Sequence, residues 1–259
     1  MEVEFYKYQG TGNDFVMIDN RSHVFDESDL SLVQSLCDRR FGIGADGLIL
    51  IREKEGYDFE MVYFNADGSQ SMCGNGARCA VAFSRFLGLL TDQCHFYAID
   101  GPHRASYHDG QVELGMISVD EVNEVGGDYF VNTGSPHHVR LLDTVKDYPV
   151  VEEGARIRYS DRYPEGTNVN FLSFISDDEI FVRTYERGVE DETFSCGTGV
   201  TACALVVGKL KGKNEVDIQT RGGRLKVRFA AKAGGGFQDI FLIGPAEQVF
   251  KGEIQISVE

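Results

Sequence analysis

Short segments in which apolar and polar residues alternate, or in which apolar residues run together, cover most of the chain and predict β-strands. Residues 2–8 alternate, and the apolar runs at 14–19, 47–52 and 59–64 are each bounded by polar residues. Ten further segments predict strands in the same way: 95–99, 111–116, 129–132, 137–142, 168–175, 179–186, 215–219, 224–230, 239–243 and 248–256. We therefore expect strands throughout the chain.

Only three segments show a helical pattern, at 28–40, 74–88 and 197–211. The first starts with Ser and Asp, which are common N-caps, and places its apolar residues on one face. Three helices are too few to alternate with so many strands, so a chain of repeated βαβ units is not expected. The pattern predicts a strand-rich α+β fold.

Two cysteine-containing segments repeat the same local pattern half a chain apart. SMCGNGARCA at 71–80 and FSCGTGVTACA at 194–204 each place a cysteine before Gly-x-Gly, at the start of a predicted helix that contains a second cysteine. Cys73 and Cys196 are 123 residues apart in a chain of 259. The repeat predicts two pseudo-symmetric halves, each a barrel-like sheet wrapped around one central helix.

The expected halves are residues 1–117 and 118–247, because the stretch 117–128 has the polar composition of a connecting loop. Each half would then contain one of the two cysteine motifs. Residues 248–259 include the last predicted strand. They are expected to return and complete the first half, since chain termini commonly lie close together.

The position of the two repeated cysteines suggests that their thiols are reactive. A helix N-terminus exposes unpaired N–H groups and carries a partial positive charge, which lowers the pKa of a thiol from about 8.5. The flanking glycines let the backbone approach a ligand, and the same N–H groups can bind a carboxylate. A buried packing role is usual for free cysteines and is expected for Cys79, Cys203, Cys37 and Cys94.

Two such thiols, one in each half, predict a site at the interface of the halves, where the sulfurs face each other across one bound molecule. A thiolate would remove a proton from one face of a carbon, and a thiol would return a proton to the other face. The two helix N-termini would stabilise the negative charge that develops on a neighbouring carboxylate. The expected chemistry is inversion of a stereocentre.

The composition narrows the classes of partner. The chain has 41 acidic and 25 basic residues and a formal net charge of −16, which disfavours nucleic acids and anionic membrane surfaces. No apolar run approaches the about 20 residues of a membrane span, and MEVEFYKYQG lacks the features of a signal peptide. Six cysteines without C-x2-C spacing indicate reduced thiols in the cytoplasm. The oligomeric state stays open, a homodimer included.

Two motifs suggest other functions but lack the required context. GIGADG at 42–47 matches the dinucleotide-binding fingerprint, but a predicted helix precedes it and a predicted strand follows it, which reverses the required order. His137 and His138 have no nearby partner at metal-ligand spacing. We expect hydrogen-bonding roles for these histidines and no metal site.

Taken together, the motifs resemble the diaminopimelate epimerase family over most of the chain. The resemblance is carried by YQGTGNDF (8–15), RRFGIGADGLILI (39–51), YFNADGSQSMCGNGARC (63–79), NTGSPHHV (132–139), TNVNFL (167–172) and YERGVEDETFSCGTGVTAC (185–203). It implies an isomerase that uses no cofactor and acts on a small amino acid. The implied reaction interconverts LL-2,6-diaminopimelate and its meso form in lysine and peptidoglycan-precursor biosynthesis.

The resemblance also implies roles for individual residues. Cys73 and Cys196 would be the two acid/base residues, with Glu186 and His137 beside them to orient a thiol or the amino group. The backbone N–H groups of the residues after each cysteine would hold the reacting carboxylate, and Asn and Arg side chains suit ammonium and carboxylate groups. The implied substrate-binding residues are Asn13, Asn65, Gly74, Asn75, Asn168, Glu186, Arg187, Gly197 and Thr198.

Three features depart from the family's common pattern. Ser135 stands where many members have Asn, and a hydroxyl reaches less far than an amide. Gly47 stands where some members have Gln, so that side-chain contact is absent. The segment from Arg187 to Cys196 is one residue longer than the commonest form, an insertion that a loop should tolerate.

Three other functions stay open from the sequence alone. A proline or hydroxyproline racemase usually carries His in the first Cys-Gly-x-Gly, where this chain has Asn75. A cysteine-nucleophile hydrolase or transferase would need one cysteine with a histidine base, and no repeat. A thiol redox or binding module would form a disulfide between Cys73 and Cys196, which requires Cα atoms within about 7 Å.

Overall fold

The computed structural model describes residues 2–256, which contain 17 strands and four helices. These residues divide into two compact units. The first comprises the described residues up to Leu114 together with those from Pro245 onward, and the second is Gly115–Gly244. Both consist mainly of strands, so the predicted α+β class is confirmed. Residues 257–259 of the predicted final segment lie outside the described residues.

Eight strands and two helices make up the first unit. The strands are β1 (Glu2–Gly10), β2 (Asn13–Asp19), β3 (Gly47–Arg52), β4 (Phe59–Asn65), β5 (Gln93–Ala98), β6 (Gly101–His108), β7 (Gln111–Gly115) and β17 (Glu247–Gln255). The helices are α1 (Leu30–Cys37) and α2 (Gly74–Phe86). Hydrogen bonds order the strands β17–β1–β2–β3–β4–β5–β6–β7. The pairs β2/β3 and β4/β5 are parallel, and the others are antiparallel.

The second unit has a closely similar set of elements. Its strands are β8 (Asn123–Val125), β9 (Asp128–Asn132), β10 (Pro136–Leu141), β11 (Asn168–Phe174), β12 (Glu179–Glu186), β13 (Asp191–Thr193), β14 (Glu215–Thr220), β15 (Gly223–Ala231) and β16 (Phe237–Pro245). Its helices are α3 (Val150–Arg158) and α4 (Gly197–Lys211). The strand order is β8–β9–β10–β11–β12–β14–β15–β16, and β13 forms a hairpin with β12.

The two sheets repeat the same sequence of parallel and antiparallel pairs. In the second unit the parallel pairs are β10/β11 and β12/β14, which occupy the places of β2/β3 and β4/β5 in the first. The two cysteine-initiated helices, α2 and α4, follow the equivalent strands β4 and β12 along the chain. The predicted pseudo-symmetric architecture is therefore confirmed.

One helix lies at the centre of each unit. Helix α2 packs against β1, β2, β3, β4, β6 and β17, and α4 packs against β9, β10, β11, β12, β14 and β15. Ten of the 13 residues of α2 and eleven of the 15 residues of α4 are buried. Gly, Ala, Cys, Ser and Thr make up much of both helices, and these small side chains let the strands approach from all sides.

The prediction of only three helices is wrong, because α3 is a fourth. Four of its nine residues are charged, and only Val150, Gly154 and Ile157 are buried. A glycine in a helix costs about 1 kcal/mol relative to alanine, which hides the helical signal. The packing requires it, since a Cβ on Gly154 would lie 2.4 Å from Cβ of Tyr185.

Three short or polar strands and one helix boundary also differ from the expectations. Strands β6, β8 and β13 are not predicted; β6 has few apolar residues, and β8 and β13 have three residues each. Helix α1 is shorter than 28–40, because the Asp29 side chain caps its start by accepting the N–H of Leu32 and Asp38 ends it in an extended conformation. The glycine-rich segment 42–47 follows α1 and leads into β3, as predicted.

None of the helices within residues 2–256 is both long enough and apolar enough to cross a membrane.

We expect Gly208→Ala in α4 to destabilise the protein by about 1–3 kcal/mol, because overpacking outweighs the gain in helix propensity of about 1 kcal/mol. A Cβ at this position would lie 2.6 Å from Cε2 of the buried Phe229 ring. The free energy of unfolding from urea denaturation measures the effect. Gly234→Ala is the control, because its Cβ meets nothing within 4 Å. A Gly208→Ala variant as stable as wild type would contradict this account of the packing.

Candidate active site

Helix α2 begins at the first predicted thiol, Cys73. The backbone of Cys73 is extended, and its Sγ accepts the backbone N–H of Gly76 at 3.4 Å. The sulfur thus takes the place of the Ser or Asp oxygen that usually caps a helix N-terminus. Negative charge is favourable at this end of a helix, so the cap favours the thiolate.

Two of the predicted substrate-binding residues, Asn13 and Asn75, are in direct contact. Nδ2 of Asn75 donates to Oδ1 of Asn13 at 2.5 Å, and Nδ2 of Asn13 donates to Oδ2 of Asp46 at 2.9 Å. Nη1 of Arg78 donates to Oδ1 of Asn75 at 3.0 Å. Because the carboxylate only accepts and the guanidinium only donates, these bonds fix the orientation of both amides.

A tight hairpin turn places Asn13 beside the helix. Thr11 and Gly12 join β1 to β2, and both have positive φ angles, 50° and 94°. Two consecutive residues of positive φ are the mark of a type I′ turn, which matches the twist of the flanking strands. Thr11 is buried, and its Oγ1 accepts Nη2 of Arg78 at 3.0 Å. The turn is therefore held to α2 by a side-chain hydrogen bond.

Four charged residues next to Asn13 form a network of ion pairs. Asp14 pairs with Lys7 and with Arg39, each at 2.7 Å, and Arg39 also pairs with Asp46 at 2.7 Å. Burial alone would raise the pKa of Asp14, but hydrogen bonds from Arg39 and Lys7 outweigh it and lower the pKa to about 2. Two cations balance two carboxylates, so the network adds no net charge beside α2.

Asn65 ends β4 and is held by three side chains that sequence reasoning misses. Its Oδ1 accepts the Tyr63 hydroxyl at 2.9 Å, and its Nδ2 donates to Oγ of Ser69 at 3.0 Å and to Oγ of Ser71 at 3.2 Å. Ser71 lies two residues before Cys73, which links Asn65 to the start of α2. The sequence could have indicated the contact with Tyr63, because Tyr63 lies two residues before Asn65 and residues i and i+2 of a strand lie on one face.

Tyr63 also explains the glycine at position 47. A Cβ on Gly47 would lie 2.4 Å from Cε2 of Tyr63 and 2.4 Å from the backbone oxygen of Phe64. The tyrosine ring therefore occupies the space that a longer side chain at position 47 would enter. Position 47 has no side chain to make the contact of the family's Gln, and the space beside it holds a tyrosine whose hydroxyl donates to Asn65.

In the second unit, α4 begins at Cys196. The Sγ of Cys196 lies 3.5 Å from Oγ1 of Thr198, and within the described chain its side chain forms no capping hydrogen bond with α4. Oγ1 of Thr133 donates to the backbone oxygen of Thr198 at 2.9 Å. Thr133 is a further residue that the prediction misses. The two cysteines thus have equivalent backbone positions but different polar surroundings.

His137 lies on β10 and is completely buried. Its Nδ1 is 3.1 Å from Nδ2 of Asn170, which also donates to the backbone oxygen of His138 at 3.0 Å. An amide nitrogen only donates, so Nδ1 accepts and the proton of the neutral ring sits on Nε2. Nε2 is buried and has no hydrogen-bond partner within residues 2–256. Burial, with a smaller effect from Arg187, lowers the pKa of His137 to about 3.

Asn170 is a site-supporting residue that the sequence prediction misses. Its Oδ1 accepts Oγ1 of Thr184 at 3.0 Å while its Nδ2 contacts His137. A Cβ on Gly199, in the Cys-Gly-x-Gly motif, would lie 2.3 Å from the same Oδ1. Asn170 therefore fixes the ring of His137 and requires glycine at the start of α4.

Asn168 contacts the backbone of Arg187, another of the residues expected to bind substrate. Oδ1 of Asn168 accepts the backbone N–H of Arg187 at 2.9 Å, and Nδ2 of Asn168 donates to the backbone oxygen of Pro136 at 3.1 Å. The Arg187 side chain is exposed, and its guanidinium contacts the backbone oxygen of Glu165 at 3.3 Å. No carboxylate of the described residues pairs with it.

The turn that carries Arg187 is anchored by Glu190. Oε1 of Glu190 accepts the N–H of Gly188 at 3.0 Å, and Oε2 accepts the hydroxyls of Tyr185 at 3.1 Å and Tyr159 at 2.9 Å. Tyr159 follows directly after α3. The helix missing from the prediction thus supports the loop between Glu186, which ends β12, and Cys196.

The remaining cysteines are buried, as predicted. Cys37, Cys79, Cys94 and Cys203 are at most 3% exposed. Burial raises the pKa of Cys37 to about 11 and those of Cys79 and Cys94 to about 12, and it raises the pKa of Cys203 well above the usual value. These thiols stay neutral and pack in the core.

The paired histidines are held by hydrogen bonds. His138 contacts the hydroxyl of Tyr163 through Nδ1 at 2.9 Å, and His137 contacts Asn170. In the part of the chain that the structure describes, no group of three or more His, Cys, Asp or Glu side chains is arranged to hold a metal ion.

Each unit therefore combines a cysteine sulfur with the N–H groups of a buried helix N-terminus. Such a pair of groups can move a proton and bind a carboxylate at the same place. In the first unit Asn75 lies in the first turn of α2 and contacts Asn13, and Asn65 contacts Ser71, two residues before Cys73. In the second unit Oγ1 of Thr198 lies beside the sulfur of Cys196, and His137 on β10 is in register with Asn168 on β11.

Comparison with solved structures identifies proteins of the same fold. A solved protein of Bacillus anthracis, described as a phenazine biosynthesis protein of the PhzF family, superposes with a TM-score of 0.75. The match covers 99% of this chain and 100% of that one, and at 13% identity it establishes the fold alone.

Sequence relatives are much closer. A diaminopimelate epimerase of Flavobacterium psychrophilum is 51% identical over 97% of this chain and 100% of its own length. A diaminopimelate epimerase of Aquifex aeolicus is 39% identical over 99% of each chain. The family model for diaminopimelate epimerase matches residues 5–117 and 129–249. The chain belongs to the diaminopimelate epimerase family.

Proposed function

We propose that the protein is an isomerase that interconverts LL-2,6-diaminopimelate and meso-diaminopimelate without a cofactor, a step of lysine and peptidoglycan-precursor biosynthesis. The observation that carries the proposal is the pair of cysteines that begin equivalent buried helices, one in each unit. Family membership supplies the substrate. The two cysteines supply the chemistry, since inversion at a carbon needs one base and one acid.

Cys73 and Cys196 are the two acid/base residues. In one direction a thiolate removes the α-proton, the electron pair of the C–H bond delocalises into the α-carboxylate, and the other thiol protonates the carbon from the opposite face. The first sulfur ends as a thiol and the second as a thiolate, so the reverse reaction starts with the roles exchanged. Protons and electrons balance without any other reactant.

The helix N-termini bind the reacting carboxylate. The first-turn N–H groups of Gly74 and Asn75 and of Gly197 and Thr198 have no acceptor within their own helices. A carboxylate gains negative charge as the α-proton leaves, and aligned N–H groups stabilise this charge more than the ground state. These N–H groups therefore accelerate the reaction as well as bind the substrate.

Asn13, Asn65, Asn168, Glu186 and Arg187 recognise the rest of the substrate. Diaminopimelate has a second ammonium and a second carboxylate at its distal end. The exposed guanidinium of Arg187, which pairs with no carboxylate of residues 2–256, suits the distal carboxylate. The amides serve both kinds of group, because each has a donor and an acceptor end.

His137 acts as a neutral hydrogen-bond donor to the substrate in the second unit. Its pKa of about 3 excludes the imidazolium near neutral pH, and Asn170 fixes the proton on Nε2. A buried donor without a partner is costly unless a ligand completes it. The acceptor is an oxygen of the bound substrate.

The wider setting follows from the same proposal. A small amino acid of a biosynthetic route is made and used in the cytoplasm, where the thiols of Cys73 and Cys196 stay reduced. We place the enzyme there and include a homodimer among its states. Gel filtration with light scattering decides the oligomeric state.

Proton NMR in D2O is the first test. Purified, reduced protein is incubated with LL-diaminopimelate and no added cofactor. We expect loss of the α-proton signal and appearance of the meso isomer, because the returning proton comes from a thiol that exchanges with solvent. Neither change, from folded protein with free thiols, would refute the proposed reaction.

Replacing either thiol tests the two-base mechanism. We expect Cys73→Ala and Cys196→Ala each to lower the rate in both directions by about 10²–10⁴-fold, because each sulfur is base in one direction and acid in the other. Cys79→Ala and Cys203→Ala, on the same two helices, are matched controls and should retain most activity. Full activity in either catalytic variant would indicate a single cysteine nucleophile instead.

The pH dependence of stability tests the neutral state of His137. Its pKa is about 3 when folded and about 6.5 when unfolded, so the unfolded state binds the extra proton between these values. The contribution of His137 to the free energy of unfolding is fully present above pH 6.5 and is lost as the pH falls towards 3. From pH 7 to 4.5 we expect wild type to lose about 2 kcal/mol more than His137→Gln.

Urea denaturation at each pH measures this difference. His108→Gln, at an exposed position, is the control and should follow the wild-type curve. Parallel curves for wild type and His137→Gln would mean that His137 is not held neutral by the fold.

A further inference from the structure

We propose that Arg78 is a positioning residue that stabilises the thiolate form of Cys73 through its buried positive charge and holds the amide of Asn75 through its guanidinium. The inference rests on the proposed function only in taking Cys73 as an acid/base residue. It adds an assignment that the two-base mechanism leaves open, because it makes Cys73 the sulfur that is charged in the absence of substrate.

Arg78 is a buried cation that pairs with no carboxylate of the described residues. It is completely buried, and it is the largest side chain in the described chain to be so. Within residues 2–256 its three hydrogen bonds go to neutral oxygens: Oδ1 of Asn75 at 3.0 Å, Oγ1 of Thr11 at 3.0 Å and the backbone oxygen of Pro245 at 3.4 Å. None of the ion pairs within residues 2–256 includes Arg78. A buried charge without a counter-ion is costly, which calls for a functional explanation.

The acidic groups that interact with this charge are thiols. Burial lowers the pKa of Arg78, and attraction to Cys79 and Cys73 opposes that effect. Cys79 lies in the interior of the helix, and burial raises its pKa to about 12, so it stays neutral. Cys73 is half-buried and caps the helix through Sγ. Of the two, Cys73 is the one that can carry the compensating negative charge.

The second unit has no such cation at the equivalent position. Arg78 lies five residues after Cys73, and the residue five after Cys196 is Thr201. Thr201 is also completely buried, but it is uncharged, and its Oγ1 donates to the backbone oxygen of Gly197 at 2.9 Å. Together with the capping bond of Cys73, this difference makes the two thiols unequal before substrate binds.

Other titratable groups around this end of α2 do not replace Arg78. Tyr8 on β1 has a pKa raised by burial and stays neutral. The charges of Lys7, Asp14, Arg39 and Asp46 cancel within their network. Towards β3 and β4, Gly76 faces the apolar side chains of Ile49 and Met61. On two further strands, Tyr107 of β6 contributes to the raised pKa of Tyr8, and Glu247 of β17 accepts a hydrogen bond from Gln9.

The guanidinium also determines which way the site amides point. It can only donate, so Oδ1 of Asn75 must face it and Nδ2 must face Asn13. A lysine would keep the charge but lose the fork that contacts Asn75 and Thr11 together. The two roles of Arg78 can therefore be separated by substitution.

The test measures alkylation of Cys73 as a function of pH, without substrate. Reduced protein is exposed briefly to iodoacetamide between pH 5.5 and 9.5, and the modified Cys73 and Cys196 peptides are quantified by mass spectrometry. Only the thiolate reacts, so the midpoint reports its population. We expect Arg78→Gln to raise the Cys73 midpoint by about one pH unit and to slow alkylation at pH 7 about tenfold. Arg78→Lys should keep the midpoint close to wild type.

Two comparisons make the result decisive. Thr201→Val is the matched control on α4 and should leave the Cys73 midpoint unchanged. Arg78→Met serves the same purpose as Arg78→Gln if the latter does not fold, since apolar replacements of buried charges are often tolerated. An unchanged midpoint in the folded neutral variant, or an equal shift in Arg78→Lys, would overturn the proposal. The assay contains no diaminopimelate, so its outcome is independent of the epimerase test.

Discussion

The burial of the N-termini of α2 and α4 is the constraint on which the rest of each unit depends. Buried backbone N–H groups in a first helical turn need acceptors, from the protein or from a ligand. In α2 the sulfur of Cys73 accepts one of them, and small residues let the strands close around the helix. The proposed reactive thiol and the proposed carboxylate site therefore come from one structural requirement, that a central helix must begin inside a sheet.

The features that could be predicted are those that local sequence determines. Gly, Ala and Cys in a run predict a buried helix, and α4 has the bounds 197–211 that its pattern predicts. Helix α3 escapes prediction because its one glycine fits against Tyr185, which is distant in sequence. Asn170 escapes for the same reason, since partners on two other strands give it its role. Spacing along one strand does not contain that information.

The repeat accounts for the fold but not for the differences between the two thiols. The sheets are equivalent in topology, yet Asn75 and Arg78 of α2 correspond to Thr198 and Thr201 of α4. The second cysteines are not equivalent either, because Cys79 follows its partner by six residues and Cys203 by seven. An α-carbon bears four different groups, so the two faces need different polar surroundings. The two units provide different polar surroundings because their side chains differ while their topology is the same.

The net charge of −16 suggests a second role for the buried Arg78, in attracting an anionic substrate. A dicarboxylate substrate approaches a protein whose overall field repels it, so the site needs local positive potential. The charges of Arg39 and Lys7 are largely cancelled by their pairing with Asp14. A carboxylate beside Arg78 would cancel its field in the same way. Its hydrogen bonds within residues 2–256 go to neutral oxygens, so in our proposal its charge acts on Cys73 and on a carboxylate at the start of α2.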